Sequence, residues 1–247
     1  VKASPEAQLR LLELADIDAE LTRIEHRRRG LPEHAELERL EARDAELRDS
    51  IAALTAQNSD LKREQAKAEA DVEQVRARID RDRDRLDSGM VNSPRELENL
   101  QSEVQSLHRR QSDLEEVVLD VMERQETAQS TLTQATAERE QLATELTSVS
   151  AARDTALGEL GEQSVKAADR RVEVTAAIPG DLLDLYDKQR AQHGGVGAAA
   201  LRKRSCQGCN LTLNTVDLNA IRAAPAEEVL RCEECRRILV RTADSGL

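Results

Sequence analysis

A seam of apolar residues spaced alternately three and four apart runs through most of this chain. From Leu37 the stepping runs through Leu40, Asp44, Leu47, Ile51, Leu54, Asn58, Leu61, Gln65, Ala68, Val72, Val75, Ile79 and Asp82 to Leu86, and eleven of these fifteen positions are apolar. It resumes at Leu97 and reaches Val174 in twenty-three positions, seventeen of them apolar. A straight helix completes a turn in 3.6 residues, so a mean spacing of 3.5 keeps facing a partner only if the helices supercoil left-handedly. The repeat therefore predicts a coiled coil. Composition agrees, because the 247 residues include one tyrosine and neither phenylalanine nor tryptophan, while 34% are charged. A large globular core normally recruits aromatics, whereas a narrow seam needs only aliphatic residues.

Residues 88–94, Ser-Gly-Met-Val-Asn-Ser-Pro, interrupt the repeat with helix-ending and helix-starting signals: Gly89 to stop one helix, Ser93 to cap the next and Pro94 for its first turn. The two arms must then fold back on each other as an antiparallel hairpin with its tip at 88–94. Two registers bring the layers into step. One sets Leu86 against Leu100 and Asn58 against Ala128. The other sets Asp82 against Leu97 and Leu40 against Arg139. The first is preferred because it places an apolar pair beside the turn. Before Leu37, Ser4-Pro5-Glu6 reads as a helix start with Leu14, Ile17, Leu21 and Ile24 as its seam. Gly30-Leu31-Pro32 predicts a kink or break near 30–32, since proline removes a helical hydrogen bond and crowds the preceding turn. The second arm at ~1.5 Å per residue would reach ~120 Å. Residues 1–175 are thus read as the coiled-coil hairpin, and the polar seam residues Asn58, Gln65, Gln111 and Gln125 as register markers.

After Val174 the periodicity ends, and residues 176–247 read as a linker helix and a second, small domain. Ile178-Pro179-Gly180 precedes a short helix over 181–192, closed by Gly194-Gly195. Residues 196–202 and 238–242 have strand character, and 215–223 reads as a small helix. This segment contains all four cysteines, as Cys206-Gln-Gly-Cys209 and Cys232-Glu-Glu-Cys235. Each Cys-x-x-Cys turn offers two thiolates to adjacent corners of a tetrahedron, and two such turns complete one structural zinc site, a zinc ribbon, with no position left for a substrate. A thiol redox pair would need a thioredoxin-like strand and helix around it, which is absent. The fold class expected is mainly α: a long antiparallel coiled-coil hairpin followed by a small four-cysteine zinc ribbon with short β-strands.

Charge narrows the partners. The net −12 divides unevenly, because residues 176–247 hold ten Lys/Arg against nine Asp/Glu, leaving 26 against 39 for residues 1–175. An acidic helical body does not wrap along nucleic acid, so any contact with RNA or DNA is local. The candidates are Arg202, Lys203, Arg204, Arg236, Arg237 and Arg241 around the cysteines. The competing reading is that arginines beside the ligands, Arg231 among them, offset the charge of the thiolates. A tip is also accessible to a partner, which makes Val91, Asn92, Pro94, Arg95 and Glu96 a second candidate surface, with a plain turn as the alternative. No apolar run approaches the ~20 residues of a membrane span, and the first residues lack the apolar core of a signal peptide. A cytoplasmic protein is expected. No phosphate loop, nucleophile elbow or carboxylate constellation supports catalysis.

The tip Gly89-x-Val91-x-x-Pro94-x-Glu96-Leu97, the Ile178-Pro179 junction, Cys206-x-Gly208-Cys209 and Cys232-x-x-Cys235-x-Arg237-Ile238-Leu239 together resemble the bacterial C4 zinc-ribbon proteins with a long coiled-coil hairpin. The resemblance spans nearly the whole chain. It implies an adaptor and not an enzyme, because members of that family are tied to flagellar assembly, type III secretion, binding of an alternative sigma factor and RNA binding. Arg95 stands where the family's tip carries lysine, and Arg236 where it carries glycine. Three functions are therefore expected, in order: a non-enzymatic zinc-binding scaffold that presents the rod and the ribbon to a protein or nucleic-acid partner, in regulation of secretion or gene expression; an RNA- or DNA-binding regulator acting through the basic ribbon surface; and an RNA polymerase regulator acting through the tip, near Asp84 and Asp87.

Overall fold

The computed structural model describes residues 1–89, 91 and 93–247. Helix α1 (Pro5–Arg29) starts as the sequence suggests, with the Ser4 hydroxyl accepting the Ala7 N–H at 3.2 Å and proline where no donor is needed. It ends at Gly30, whose N–H returns to the His26 carbonyl, and α2 (Pro32–Asp87) begins two residues later. The expected interruption at 30–32 is a complete break. Helix α3 (Pro94–Ala176) follows the turn, and α4 (Gly180–Gln192) follows Pro179. Then come β1 (Ala198–Arg202), β2 (Ser205–Cys206), α5 (Thr215–Ala223), β3 (Leu230–Arg231) and β4 (Ile238–Arg241). No helix among the described residues is long and apolar enough to cross a membrane.

The chain forms two compact units, one of residues 36–149 and one combining residues 1–35 with 150–247. This grouping differs from the sequence division at residue 175. The cause is α1, which belongs with the C-terminal sheet: Lys2 bridges Glu228, the Ala3 N–H donates to the Glu227 carbonyl at 2.8 Å, and the Gln8 amide donates to Ala3 and Ala226 carbonyls.

In the unit of residues 36–149, α2 and α3 pack along the seam that the repeat defines. All fifteen stepped positions of α2 are buried or half-buried. The cross-helix contacts select the first register. Leu61 packs between Val121 and Ala128, and the Asn58 amide donates to the Gln129 side chain. The alternative would set Leu40 against Arg139. Instead Leu40 packs with Leu47 and Leu142, and Arg139 lies to the side, bonded to Asp44 at 2.8 Å. Flanking pairs such as Arg43–Glu138 and Arg76–Glu115 are exposed and contribute little each.

In the other unit a four-stranded sheet, in the order β2-β1-β4-β3, divides two small cores. Strands β1 and β4 run parallel, with Ala198 beside Ile238 and Ala199 beside Leu239. Successive side chains of a strand face opposite sides. Ala198, Ile238 and Val240 therefore pack on Leu11, Leu14, Ala167, Leu182 and Tyr186 of the helices. Ala199, Leu201 and Leu239 pack instead with Leu213, Leu218, Ile221 and the cysteines. Val196 and Gly197 fall before β1, and Gly197 lies so close to α4 that a Cβ there would collide with the Tyr186 carbonyl oxygen.

Candidate metal centre

The two Cys-x-x-Cys segments fold identically in backbone terms. Cys206 N–H donates to the Leu211 carbonyl and receives, at its own carbonyl, the Asn210 N–H at 2.8 Å. Cys232 N–H donates to Arg237, and the Arg236 N–H returns to Cys232, again at 2.8 Å. Closing each loop this tightly turns the fifth residue left-handed, with φ of 59° at Asn210 and 63° at Arg236. Asparagine tolerates that region, whereas arginine adopts it at a cost. Gly208, in the first loop, leaves room for Ala199 and for the Arg237 side chain, both within 3.0 Å of where a Cβ would stand.

The four sulfurs lie within 4.8 Å of one another, and the structure brings together all four predicted ligands. Sγ of Cys206 is 3.8 Å from that of Cys235, and Sγ of Cys209 is 3.9 Å from that of Cys232. A tetrahedron with Zn–S bonds of about 2.3 Å requires sulfur separations of about 3.8 Å. The residues fit one zinc ion. Cys206 and Cys232 are buried on the sheet side, and Cys209 and Cys235 are half-buried. Burial pushes the Cys206 thiol up to about 12 and raises that of Cys232. At Cys235 burial is outweighed by hydrogen bonds from Arg237 and from the neighbouring cysteines, and the thiol is lowered. Thiolate ligation in such a setting depends on a cation, which zinc supplies when bound.

The six basic residues divide by what their side chains touch. The Arg237 guanidinium donates to the carbonyls of Val196, Gly208 and His193 at 3.0–3.1 Å, so it braces the first knuckle against the chain entering β1. Arg241 donates to the carbonyls of Ala224, Pro225 and Ala226, holding the loop after α5. Both guanidinium groups tie backbone carbonyls of the fold together. Arg202, Lys203 and Arg204 are exposed on the β1–β2 turn, where Lys203 and Arg204 have φ of 45° and 64°. The Asp244 and Ser245 carbonyls accept their N–H groups at 2.7 and 2.9 Å, so the C-terminal segment clasps this turn. Arg236 is exposed and pairs with Glu233 at 3.2 Å.

At the tip, Gly89 has φ of 67° and the Ser93 carbonyl accepts the N–H groups of Glu96 and Leu97. Val91 and Glu96 line a shallow groove with Asp84, Arg85 and Ser88, while Pro94 and Arg95 are exposed. Asn92, also a predicted contact, lies outside the described residues.

Sequence reasoning missed a buried ionic site. Asp18 on α1 is fully buried, and its carboxylate accepts from the Tyr186 hydroxyl at 2.7 Å and Arg171 Nε at 2.8 Å, with Arg190 Nε at 3.0 Å but poorly aligned. Burial and the Asp18 charge raise the Tyr186 hydroxyl above its ordinary range. The signal was present: Asp18 continues the apolar stripe Leu11, Leu14, Ala15, where a carboxylate needs buried partners, and Tyr186 is the chain's lone aromatic.

An antiparallel helical seam joined to a ribbon whose metal position is closed by four cysteines defines a coiled-coil zinc-ribbon protein. Residues 14–194 match the family model described as the CT398-like coiled coil hairpin domain, and residues 205–239 that of the C4-type zinc ribbon domain. The chain belongs to the CT398-like coiled-coil hairpin family. An uncharacterized protein of Mycobacterium tuberculosis, strain H37Rv, is 38% identical over 241 residues, covering 98% of both chains. A solved structure from Mycobacterium smegmatis matches with a TM-score of 0.83 at 39% identity, covering 98% of this chain and all of that one. CT398 from Chlamydia trachomatis shares the fold, with a TM-score of 0.72 at 16% identity over 96% of this chain and 98% of its own.

Proposed function

We propose that this chain is a cytoplasmic, non-enzymatic scaffold that presents a helical hairpin and a zinc ribbon to a protein partner. The observation that carries this reading is the closed ligand set: four cysteines occupy every corner of the tetrahedron, so the metal has no position for a substrate or an activated water and serves to hold surface residues in place. The family match supports a structural or binding role, and no enzymatic family is indicated. The test is a tagged pull-down from the native cell with wild-type protein and with Arg95→Ala/Glu96→Ala. Specific capture that the tip pair weakens supports presentation at the tip. Failure of the wild type to capture any protein, or turnover of a substrate that is lost with Cys209→Ser, sinks the scaffold reading.

One observation favours a second reading, RNA or DNA binding by the ribbon. Arg202 ends β1, and Lys203 and Arg204 after it are both held left-handed in the turn, a strain that persists only where the surroundings enforce it. Arg236, exposed and paired with Glu233, is the fourth exposed cation of the predicted set. Binding of labelled single-stranded RNA should then weaken steeply with salt and fall at least tenfold in a variant carrying alanine at these four positions. Salt-independent binding would remove this reading. Arg237 and Arg241 are unsuitable for the test because their loss would disturb the fold.

A further inference from the structure

Within the unit of residues 36–149, the seam buries its apolar residues inward, yet α3 carries two large apolar side chains on an outer face. Leu119 is 65% exposed and Met122 45%, one turn apart. They are not isolated, because half-buried Val118 and buried Val72 of α2 continue the apolar surface down into the groove between the helices. Leu119 lines this groove and also a second depression, which runs on past Gln125 and Gln129 to Thr133. Together they follow α3 from residue 115 to 133, about 27 Å at 1.5 Å per residue, the length of a five-turn helix. The apolar part of this lining is Val72, Val118, Leu119 and Met122, and the remainder is polar, so a third helix laid along it would bury its apolar anchors at one end.

The rim specifies the charge of what binds. Glu69, Glu73, Glu115, Glu123 and Glu126 border the two depressions against a single cation, Arg76. Arg76 is already shared between Glu73 at 3.0 Å and Glu115 at 2.8 Å. Glu69, Glu123 and Glu126 have no ion-pair partner among the described residues. A second copy of the chain, itself at −12, would bring like charge to this rim. A helix with leucine-like anchors flanked by lysine or arginine meets both requirements, since opposed charges favour encounter and the apolar anchors retain the partner.

We propose that this groove docks a basic amphipathic helix of a protein partner, with Leu119 and Met122 as anchors and Glu69, Glu123 and Glu126 as its charge contacts. The proposal rests on the scaffold reading and names one partner class for it. The probe is a dye-labelled 18-residue peptide of leucine and lysine, its leucines at three- and four-residue spacing, titrated against the full zinc-loaded chain and read by fluorescence anisotropy. Leu119→Ser/Met122→Ser is expected to weaken binding at least tenfold with unchanged helical signal. Glu123→Gln/Glu126→Gln is expected to weaken it about threefold at low salt. Val117→Ser, which removes a 48% exposed valine elsewhere on α3, is expected to change it less than twofold. Equal binding by Leu119→Ser/Met122→Ser, or equal binding of a peptide with glutamate in place of lysine, overturns the proposal. Dimerisation of the wild type that this pair abolishes also overturns it, in favour of self-association. A cellular pull-down in which this pair retains every wild-type partner overturns the docking site but leaves the scaffold reading standing.

Discussion

The two compact units use their buried residues in different ways. Between Glu36 and Val149 the core is a line of small layers, such as Leu61 with Val121 and Ala128, each touching only its neighbours along the seam. In the unit of residues 1–35 and 150–247 the core gathers Leu11, Ala167, Tyr186 and Ile238 from distant parts of the sequence, and adds four sulfurs and a buried carboxylate. The first arrangement distributes stability over many similar contacts. The second concentrates it in a few that have no substitute, so single changes should be felt very differently in the two units.

Zinc removal makes the sharpest test of that contrast. A structural zinc site of four cysteines contributes on the order of 10 kcal/mol or more to the fold it closes. Cys232→Ser, or a strong chelator, is expected to release the metal and disorder the strands and α5, while the helical circular dichroism of α2 and α3 persists. Collapse of the whole helical signal would show that the units are not energetically distinct. Next in size is Asp18→Ala, which leaves Arg171, Arg190 and Tyr186 without their common partner. Breaking a buried ion pair costs roughly 3–5 kcal/mol, and about 3 is expected here because both arginines keep partial access to water. The loss should appear as a lower melting temperature and as early proteolysis near α1. A cost below about 1 kcal/mol would mean that Asp18 is incidental to this core.

Leu61→Ala probes the distributed side. Removing a buried leucine costs roughly 2–5 kcal/mol depending on how far the site relaxes. A two-helix seam is open on both flanks, so about 2 kcal/mol is expected, with no change in zinc release by a chelator. A shift in metal release comparable to the change in melting temperature would show that the seam and the zinc ribbon share their stability.

The difference between the units also explains what the sequence reveals. A seam is periodic, so the positions from Leu37 to Leu86 and from Leu97 to Val174 announce themselves, and even the preferred register follows from pairing Leu86 with Leu100. The cysteines are equally legible because spacing alone sets the bite of each pair. The Asp18 cluster depends on residues 153 and 168 positions apart, a separation that leaves no periodic trace. The same holds for α1, whose seam reads as an extension of the hairpin although Ala3, Ala7 and Leu11 belong to the core of the sheet. For the basic residues, sequence proximity to the ligands grouped Arg237 and Arg241 with Arg202 and Lys203. Only the fold separates side chains bonded to carbonyls from side chains facing solvent.

The smallest expected effect lies within the metal site, where the two knuckles share a backbone and differ at its strained position. Asn210 is at home at φ of 59°, but Arg236 at 63° carries a Cβ that crowds its own carbonyl, at a cost of roughly 1–2 kcal/mol. Glycine relieves that crowding and at the same time loosens the unfolded chain, which returns part of the gain. The exposed Arg236–Glu233 pair offsets little. Arg236→Gly is therefore expected to stabilise the ribbon by about 0.5–1 kcal/mol, seen as slower zinc loss to a chelator, whereas Asn210→Gly should be close to neutral. If Arg236→Gly instead speeds zinc loss, the arginine side chain makes a contact that matters more than its backbone strain. If it stabilises the ribbon while weakening RNA binding, a strained arginine has been retained for its exposed charge, and the second knuckle is the more functional of the two.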